Sequence, residues 1–466
     1  MSIFVLNTLT GTKQELVPRV PGKIGMYYCG PTVYNHVHVG NARGITVFDV
    51  VRRYLTWSGF DVTFVYNYTD VDDRIIDIAV KQERSTDDVS AEYSEAFEAV
   101  MRRLSVSPPD ILVRATEHIS DMVAMIEKLI EKGFAYESES NVWFAVDKFK
   151  GYGKLSKRSL DDMRAGERVE PDPTKKQPLD FALWKRAKPG EPSWPSPWGD
   201  GRPGWHIECS AMSTRYLGMG FDIHCGGTDL VFPHHENEIA QAEAAFGEEP
   251  FVKYWLHNGM VNVENTKMSK SLGNFIFVKD FLDEVRPEVF RFMSIAAHYR
   301  SDCDFSESAV FQAQRAIERF EIFLRASGNV VGEIWGEALG FVERFREAMD
   351  DDFNTPQAIS ILHELVRHGN AEVELASRGD EEAGERLPAI VAAFHEISGV
   401  LGITPSLSPP KTAPVTDGLI QLALDLRESA RKDGRFSDAD EIRARLDAMG
   451  IIIEDSTSGP RWRQKV

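Results

Sequence analysis

Near the start of the chain a strand, a turn, a helix and a second strand succeed one another in a pattern that few folds accept. The run KIGMYYCGPTVY ends in the Gly30-Pro31 turn, and Val47, Phe48, Val51 and Leu55 then recur at helical spacing in VFDVVRRYL. After Gly59 the run DVTFVYNYTD alternates as a strand and leads into a helical pattern at RIIDIAVK. Two strands joined through a helix lie parallel, and a parallel sheet of this kind takes ligands at the carboxyl ends of its strands. Farther on, FDIHCGG reads as a strand entering a glycine turn, and PHHENEIAQAEAAFG as a helix with Pro233 at its start. The two halves are expected to share one sheet, with material from about residue 110 to 200 inserted between them.

After residue 306 the pattern turns helical, as in AVFQAQRAIERFEIFL and AISILHELV, and continues to about residue 403. TPSLSPPKTAPVT, at 404–416, reads as a linker, and a small unit follows with two helices, a short strand GIIIED and the tail GPRWRQKV. The fold class expected is therefore α/β: a Rossmann-like doubly wound parallel-sheet domain over 1–305 with an insertion, a helical bundle over 306–403, and a small α+β unit over 417–466.

Charge narrows the function. The 72 acidic against 53 basic residues give a net charge of -19, which repels phosphate over most of the surface and excludes a protein that coats nucleic acid non-specifically. Any RNA contact must be local, and residues 427–466 stand apart with nine Lys/Arg against eight Asp/Glu. No apolar run reaches the roughly 18 residues that a membrane-spanning helix needs, so a cytoplasmic protein without membrane attachment is expected. The four cysteines, Cys29, Cys209, Cys225 and Cys303, are too scattered for a disulfide framework, which leaves metal binding or plain burial.

His234 and Glu238 lie four apart on an expected helix, so both project from one face and both can ligate zinc. Read alone, the pair better suits a helix start capped by His234 and His235 with Glu238 in solvent. Cys29 ends a strand and Cys209 sits in WHIECSAM; either could be an inert buried thiol, and nothing in their separation signals a metal.

The runs CGPTVYNHVHVGNAR, NYTDVDDRII, DFALWKRAKPGEPSWPSPWGDGRPGWHIECSAM, HCGGTDLVFPHHENEIAQAEA and KMSKSLGN, in that order, closely resemble the cysteinyl-tRNA synthetases of class I. The similarity continues through AMDDDFNTP to GIIIEDSTSGPRWR and so spans nearly the whole chain. It implies that Cys29, Cys209, His234 and Glu238 hold one Zn²⁺, and that the ion selects the substrate thiol over serine's hydroxyl. It implies an enzyme that joins L-cysteine to tRNA(Cys) with ATP and Mg²⁺, through a cysteinyl adenylate.

The class signature of His-Ile-Gly-His type falls on His38, Val39, Gly40 and Asn41, with asparagine replacing the last histidine. Asn41 can donate a hydrogen bond but not carry charge, which shifts the burden to His38 and the helix N-terminus. His36 reads as an exposed loop residue. Lys267-Met268-Ser269-Lys270-Ser271 matches the second signature without substitution, its catalytic Lys267 and Lys270 placed to meet charge on the leaving phosphates. By resemblance Gly40, Gly226, Gly227 and Lys270 serve ATP, and Thr69, Trp205 and Asp229 serve the amino acid. Arg461, Trp462 and Arg463 offer stacking and charge to unpaired bases, although Trp462 could equally pack on the last helices. Cys225 and Cys303 are expected to be packing residues, and the protein a monomer. Two rivals stand beside this reading: the mycothiol-pathway ligase, which lacks a full anticodon-binding end, and a non-catalytic zinc-containing RNA binder, which would have no use for the phosphate-handling lysines.

Overall fold

A computed structural model describes residues 2–160, 163, 172–248, 250–263, 266–267, 275–405, 413–449, 451–456 and 459–464. Of the second signature only Lys267 falls within these, as backbone in the short strand Thr266–Lys267; Lys270 lies outside the described residues. The chain divides into two compact units, 1–405 and 406–466.

Five parallel strands form the centre of the larger unit. The first, β1 (Lys23–Tyr28), feeds the helix α1 (Val39–Trp57) and then β2 (Asp61–Tyr68). Beside β2 in space lies β3 (Ile111–Arg114), paired with it in parallel through Val65↔Ile111. After the helix α2 (Trp205–Leu217) come β4 (Phe221–Gly227), the helix α3 (Glu236–Phe246) and β5 (Val252–Asn258). The spatial order is β5-β4-β1-β2-β3. Chain order therefore reverses between β1 and β4, where Ile223 pairs with Met26 and Cys225 with Tyr28, and a cleft opens at such a switch beyond the strand ends.

Burial explains why these segments are strands and helices. Met26, Tyr27, Phe64, Val65, Ile223 and Trp255 are buried, as befits a sheet covered on both faces. α1 buries residues around most of its circumference, from Val39 and Ala42 to Tyr54 and Leu55, so its apolar stripe is wider than the four positions read from spacing.

Ile111–Arg114 lies inside the span read as an insertion yet belongs to the central sheet; the added material begins after it. It consists of the helix Ile119–Glu131 and an antiparallel sheet in the order Ala135–Ser138, Asn141–Phe144, Phe181–Arg186, Gly201–Pro203. Pro233 also departs from expectation. Phe232 keeps an extended backbone (φ −141°, ψ 130°), so Val231–His235 form a separate turn and regular helix begins only at Glu236.

Long helices at Glu307–Ala326, Glu337–Asp350, Thr355–Ser377 and Glu381–Leu401 complete the unit. In the smaller unit the helices Ala413–Lys432 and Phe436–Ala448 accompany a hairpin of Ile451–Ser456 with Gly459–Gln464. Among the described residues no helix is long and apolar enough to cross a membrane.

Candidate active site

Four donors from four segments meet at the switch point. Cys29 directly follows β1, Cys209 lies on α2, His234 on the turn before α3, and Glu238 in its first turn. Their ligand atoms all lie within 4.8 Å of one another and all four residues are buried. Cys29 Sγ is 3.5 Å from Cys209 Sγ and 3.2 Å from His234 Nε2, and His234 Nε2 is 3.0 Å from Glu238 Oε1. Gly30 makes the approach possible: a Cβ there would sit 1.7 Å from the Asn67 carbonyl oxygen, while its N–H donates to Asn67 Oδ1 at 3.0 Å.

The donor set fits zinc, which takes thiolate, imidazole and carboxylate in tetrahedral sites. Its electrostatics calls for a cation. Burial pushes the Cys209 thiol well up, and Cys29 is also raised, the pull of its Cys209 hydrogen bond being outweighed by burial and by Glu238. Burial raises Glu238 as well, and among the described residues neither of its oxygens accepts a well-aligned hydrogen bond. Burial would lower His234, but Glu238 and Cys209 drive it up to about 10. Protons thus collect where a divalent ion would displace them.

Histidines that no sequence signal identified surround this cluster. His206 Nδ1 is 2.8 Å from His234 Nδ1, a contact that turns His234 Nε2 toward the sulfurs. On the far side of Glu238, His224 and His235 approach its oxygens at 3.6 and 3.8 Å. His235 Nδ1 continues to His257 Nε2 at 2.8 Å, and His257 Nδ1 to Thr8 Oγ1 at 2.8 Å. Burial holds His206, His224 and His235 well below the usual imidazole range and His257 at about 3, so all four are neutral. The doublet His234-His235 and the alternation that turns His224 to the same face of β4 as Asp222 were the available clues.

Above the cluster lies a cleft of about 340 Å³ whose walls include Cys29, His38, Gly40, Asn41, Trp205, Gly227 and Asp229. His38 caps α1: its Nδ1 accepts from the N–H groups of Gly40 at 3.1 Å and Asn41 at 3.3 Å. Because those donors are fixed, Nδ1 is unprotonated and the ring proton belongs on Nε2. Trp205 stacks on the His234 ring at 4.2 Å. His36, read as an exposed loop residue, lines the cleft and meets Tyr93 edge-on at 5.4 Å.

Thr69 and Gly226 are set back from the cleft wall. Thr69 is buried and donates to Glu208 Oε2 at 2.7 Å, and Gly226 packs so closely on His235 that a Cβ would lie 2.8 Å from its Cε1. Arg43, one turn into α1, is wholly buried and among the described residues has no acidic partner in its hydrogen bonds. It donates to the carbonyls of Gly259 at 2.8 Å, Met260 at 3.1 Å and Ser301 at 2.7 Å, and more weakly to Ser294 and His298 at 3.4 Å. It thereby ties the first signature helix to the turn after β5, which also lines the cleft. Cys225 and Cys303 are buried among backbone carbonyls, with Sγ to Tyr27 O at 3.3 Å and Met293 O at 3.4 Å. Trp462 is half-buried against Ile420, Leu424, Leu446 and Ile453; the side chains of Arg461 and Arg463 lie outside what the structure describes.

Comparison with known proteins identifies the fold and the family. The family model for the tRNA synthetases class I (C) catalytic domain matches residues 15–315, the DALR domain 344–404, and the cysteinyl-tRNA ligase anticodon binding domain 422–463. A methionyl-tRNA synthetase of Mycobacterium tuberculosis, solved with methionyl-adenylate, shares the fold at a TM-score of 0.60 and 14% identity over 86% of this chain and 93% of that one. A leucyl enzyme of Agrobacterium radiobacter K84, solved as a ternary complex with tRNA, does so at 0.59 and 10% identity, over 84% and 86%. The cysteine–tRNA ligase of Syntrophotalea carbinolica is 49% identical over the full length of both chains, and that of Carboxydothermus hydrogenoformans 46% identical over 99% of each. Identity at this level from end to end shows that the chain belongs to the cysteine–tRNA ligases, enzymes of the class I aminoacyl-tRNA synthetases.

Proposed function

We propose that the enzyme works in two steps within the one cleft, forming cysteinyl adenylate from L-cysteine and ATP and then passing the cysteinyl group to the terminal adenosine of tRNA(Cys). In the first step a carboxylate oxygen of cysteine bonds to the α-phosphorus and the bond to diphosphate breaks; in the second, AMP leaves. No general base is needed for the first, because a carboxylate is already a nucleophile. The observation that carries this reading is the convergence of Cys29, Cys209, His234 and Glu238 beside a cleft whose wall Cys29 shares with His38 and Asn41.

The residues divide the work by charge. His38 caps α1 and offers its Nε2–H, Asn41 adds a neutral donor, and the N-terminus of α1 favours phosphate. Gly40 and Gly227 let nucleotide approach backbone, and Asp229, a carboxylate on the cleft wall, suits the amino group of cysteine. Lys267 and Lys270 take up charge on the departing diphosphate, which Mg²⁺ accompanies. Zinc held by the four donors would supply a Lewis acid of borderline softness, favouring a thiolate over the harder, less acidic hydroxyl of serine. Discrimination of 10⁴-fold corresponds to about 5.5 kcal/mol, within reach of a metal–sulfur preference and so without a separate editing site. Thr69 contributes from behind, fixing Glu208 beside the floor.

The test is exchange of labelled diphosphate into ATP by zinc-replete protein without RNA, with cysteine, serine and alanine in parallel. Exchange with cysteine alone is expected. A folded, zinc-replete protein that exchanges with none of them would instead favour the non-catalytic RNA binder.

A further inference from the structure

An amino acid reaches the cleft as a zwitterion, and its two charges need separate partners. Among the described residues that line the cleft there is one carboxylate side chain, Asp229, and one lysine or arginine, Arg74. We propose that Arg74 binds the α-carboxylate of the amino-acid substrate; this rests on the cysteine-activating function given above and adds to it a residue that sets which ligands the site accepts.

Arg74 is placed for that role by contacts that hold its guanidinium plane. Its Nε donates to Asp72 Oδ1 at 2.8 Å and its Nη2 to Thr32 Oγ1 at 2.8 Å, while the side chain remains about half-exposed at 46%. The guanidinium lies 5.1 Å from the Tyr34 ring and 5.7 Å from the Trp205 ring. Trp205 in turn stacks on His234, one of the four donors on the floor. The indole thus lies between the guanidinium and the sulfur-binding end, and the two aromatic faces flank a charge that stays open to the cleft.

The geometry also suits the reaction. A guanidinium can hold one carboxylate oxygen while the other attacks phosphorus, and it continues to face negative charge as that charge passes to the phosphoryl oxygens. Asp72 balances Arg74 when no substrate is bound and holds its Nε.

The decisive probe is cysteamine, which keeps the thiol and the amine of cysteine but has no carboxylate. Cysteine-dependent diphosphate exchange by zinc-replete Arg74→Ala and Arg74→Lys, with cysteamine as competitive inhibitor, separates recognition from structure. Arg74→Ala should raise the KM for cysteine about 10- to 100-fold, as expected for loss of a charge-assisted hydrogen bond. Its inhibition constant for cysteamine should stay at the wild-type value, and Arg74→Lys should recover part of the loss. Equal weakening of both ligands would overturn the assignment in favour of a merely structural arginine. Unchanged exchange with impaired charging of tRNA would overturn it too, placing the guanidinium on the RNA. Wild-type protein inert with cysteine would refute the cysteine-activating function itself and is distinguishable because it appears before any variant is tested.

Discussion

Replacing Arg43 by methionine should loosen the cleft without touching any group that faces substrate. The side chain is fully buried and its three shortest bonds, to the carbonyls of Gly259, Met260 and Ser301, span 2.7–3.1 Å. Methionine fills much of the space but donates nothing. Each charge-assisted bond is worth about 1.5–3 kcal/mol, and the variant is relieved of burying a charge, so the net loss should be about 3–5 kcal/mol. With an unfolding entropy of about 2.1 cal/mol/K per residue over a unit of 405 residues, this corresponds to a fall in Tm of roughly 4–6 °C. The freed turn at Gly259–Met260 lines the cleft, so the KM for ATP should rise as well. Thermal melting and diphosphate exchange at varied ATP measure the two effects. A Tm within about 1 °C of wild type, well inside the expected fall, together with an unchanged KM, would refute the claim that Arg43 holds this turn.

Four further outcomes are expected. Lys270→Ala should lower the rate of diphosphate exchange by about 10²-fold or more while leaving cysteine binding nearly unchanged, as titration of the protein with cysteine would show. Burial pushes the Asp49 carboxyl up, but Arg291 and Arg53 outweigh it and hold it below the usual range. Its stabilising contribution is therefore present above the unfolded pKa of about 3.9 and lost as the pH falls through the lower folded value. The difference in Tm between wild type and Asp49→Asn should be largest near neutrality and shrink below about pH 4. Trp462→Ala should destabilise the small unit by about 2 kcal/mol through lost packing, read as faster hydrogen exchange of the Ile451–Ser456 amides in the full chain. Arg461→Ala and Arg463→Ala should leave that exchange unchanged and raise the KM for tRNA.

What could be read from the chain depended on the range of the forces involved. Helices and strands such as VFDVVRRYL and DVTFVYNYTD are set by local spacing, and their spans agree with α1 and β2. The order β5-β4-β1-β2-β3 depends on pairing between strands nearly two hundred residues apart, which periodicity does not record. Cys29 and Cys209 meet for that reason, and only the family resemblance joined them beforehand. Ile111–Arg114 was absorbed into the insertion because four residues carry too little pattern to separate a sheet edge from the helix Ile119–Glu131 beyond it. Arg74 and Arg43 went unnoticed because an arginine on a helix reads as solvated, whereas here Trp205 and Tyr34 frame one and five carbonyls enclose the other. The histidines behind the cluster carried no signal beyond a doublet and the strand alternation at His224, since their importance lies in mutual contact.

The switch point also imposes a timetable on synthesis. Cys29 emerges early, but its companions arrive only after the helix Ile119–Glu131 and the inserted antiparallel sheet have been made, Cys209 with α2 itself. His234 and Glu238 are the last of the four, and β5, which flanks β4, is later still. Until then a nascent chain offers isolated donors rather than a chelate, and has no means of retaining a metal against cellular buffers. A metal taken up by these donors would therefore be captured as a closing event in maturation, coupled to docking of the second half of the sheet on the first, and would lock together segments whose assembly local structure alone cannot enforce.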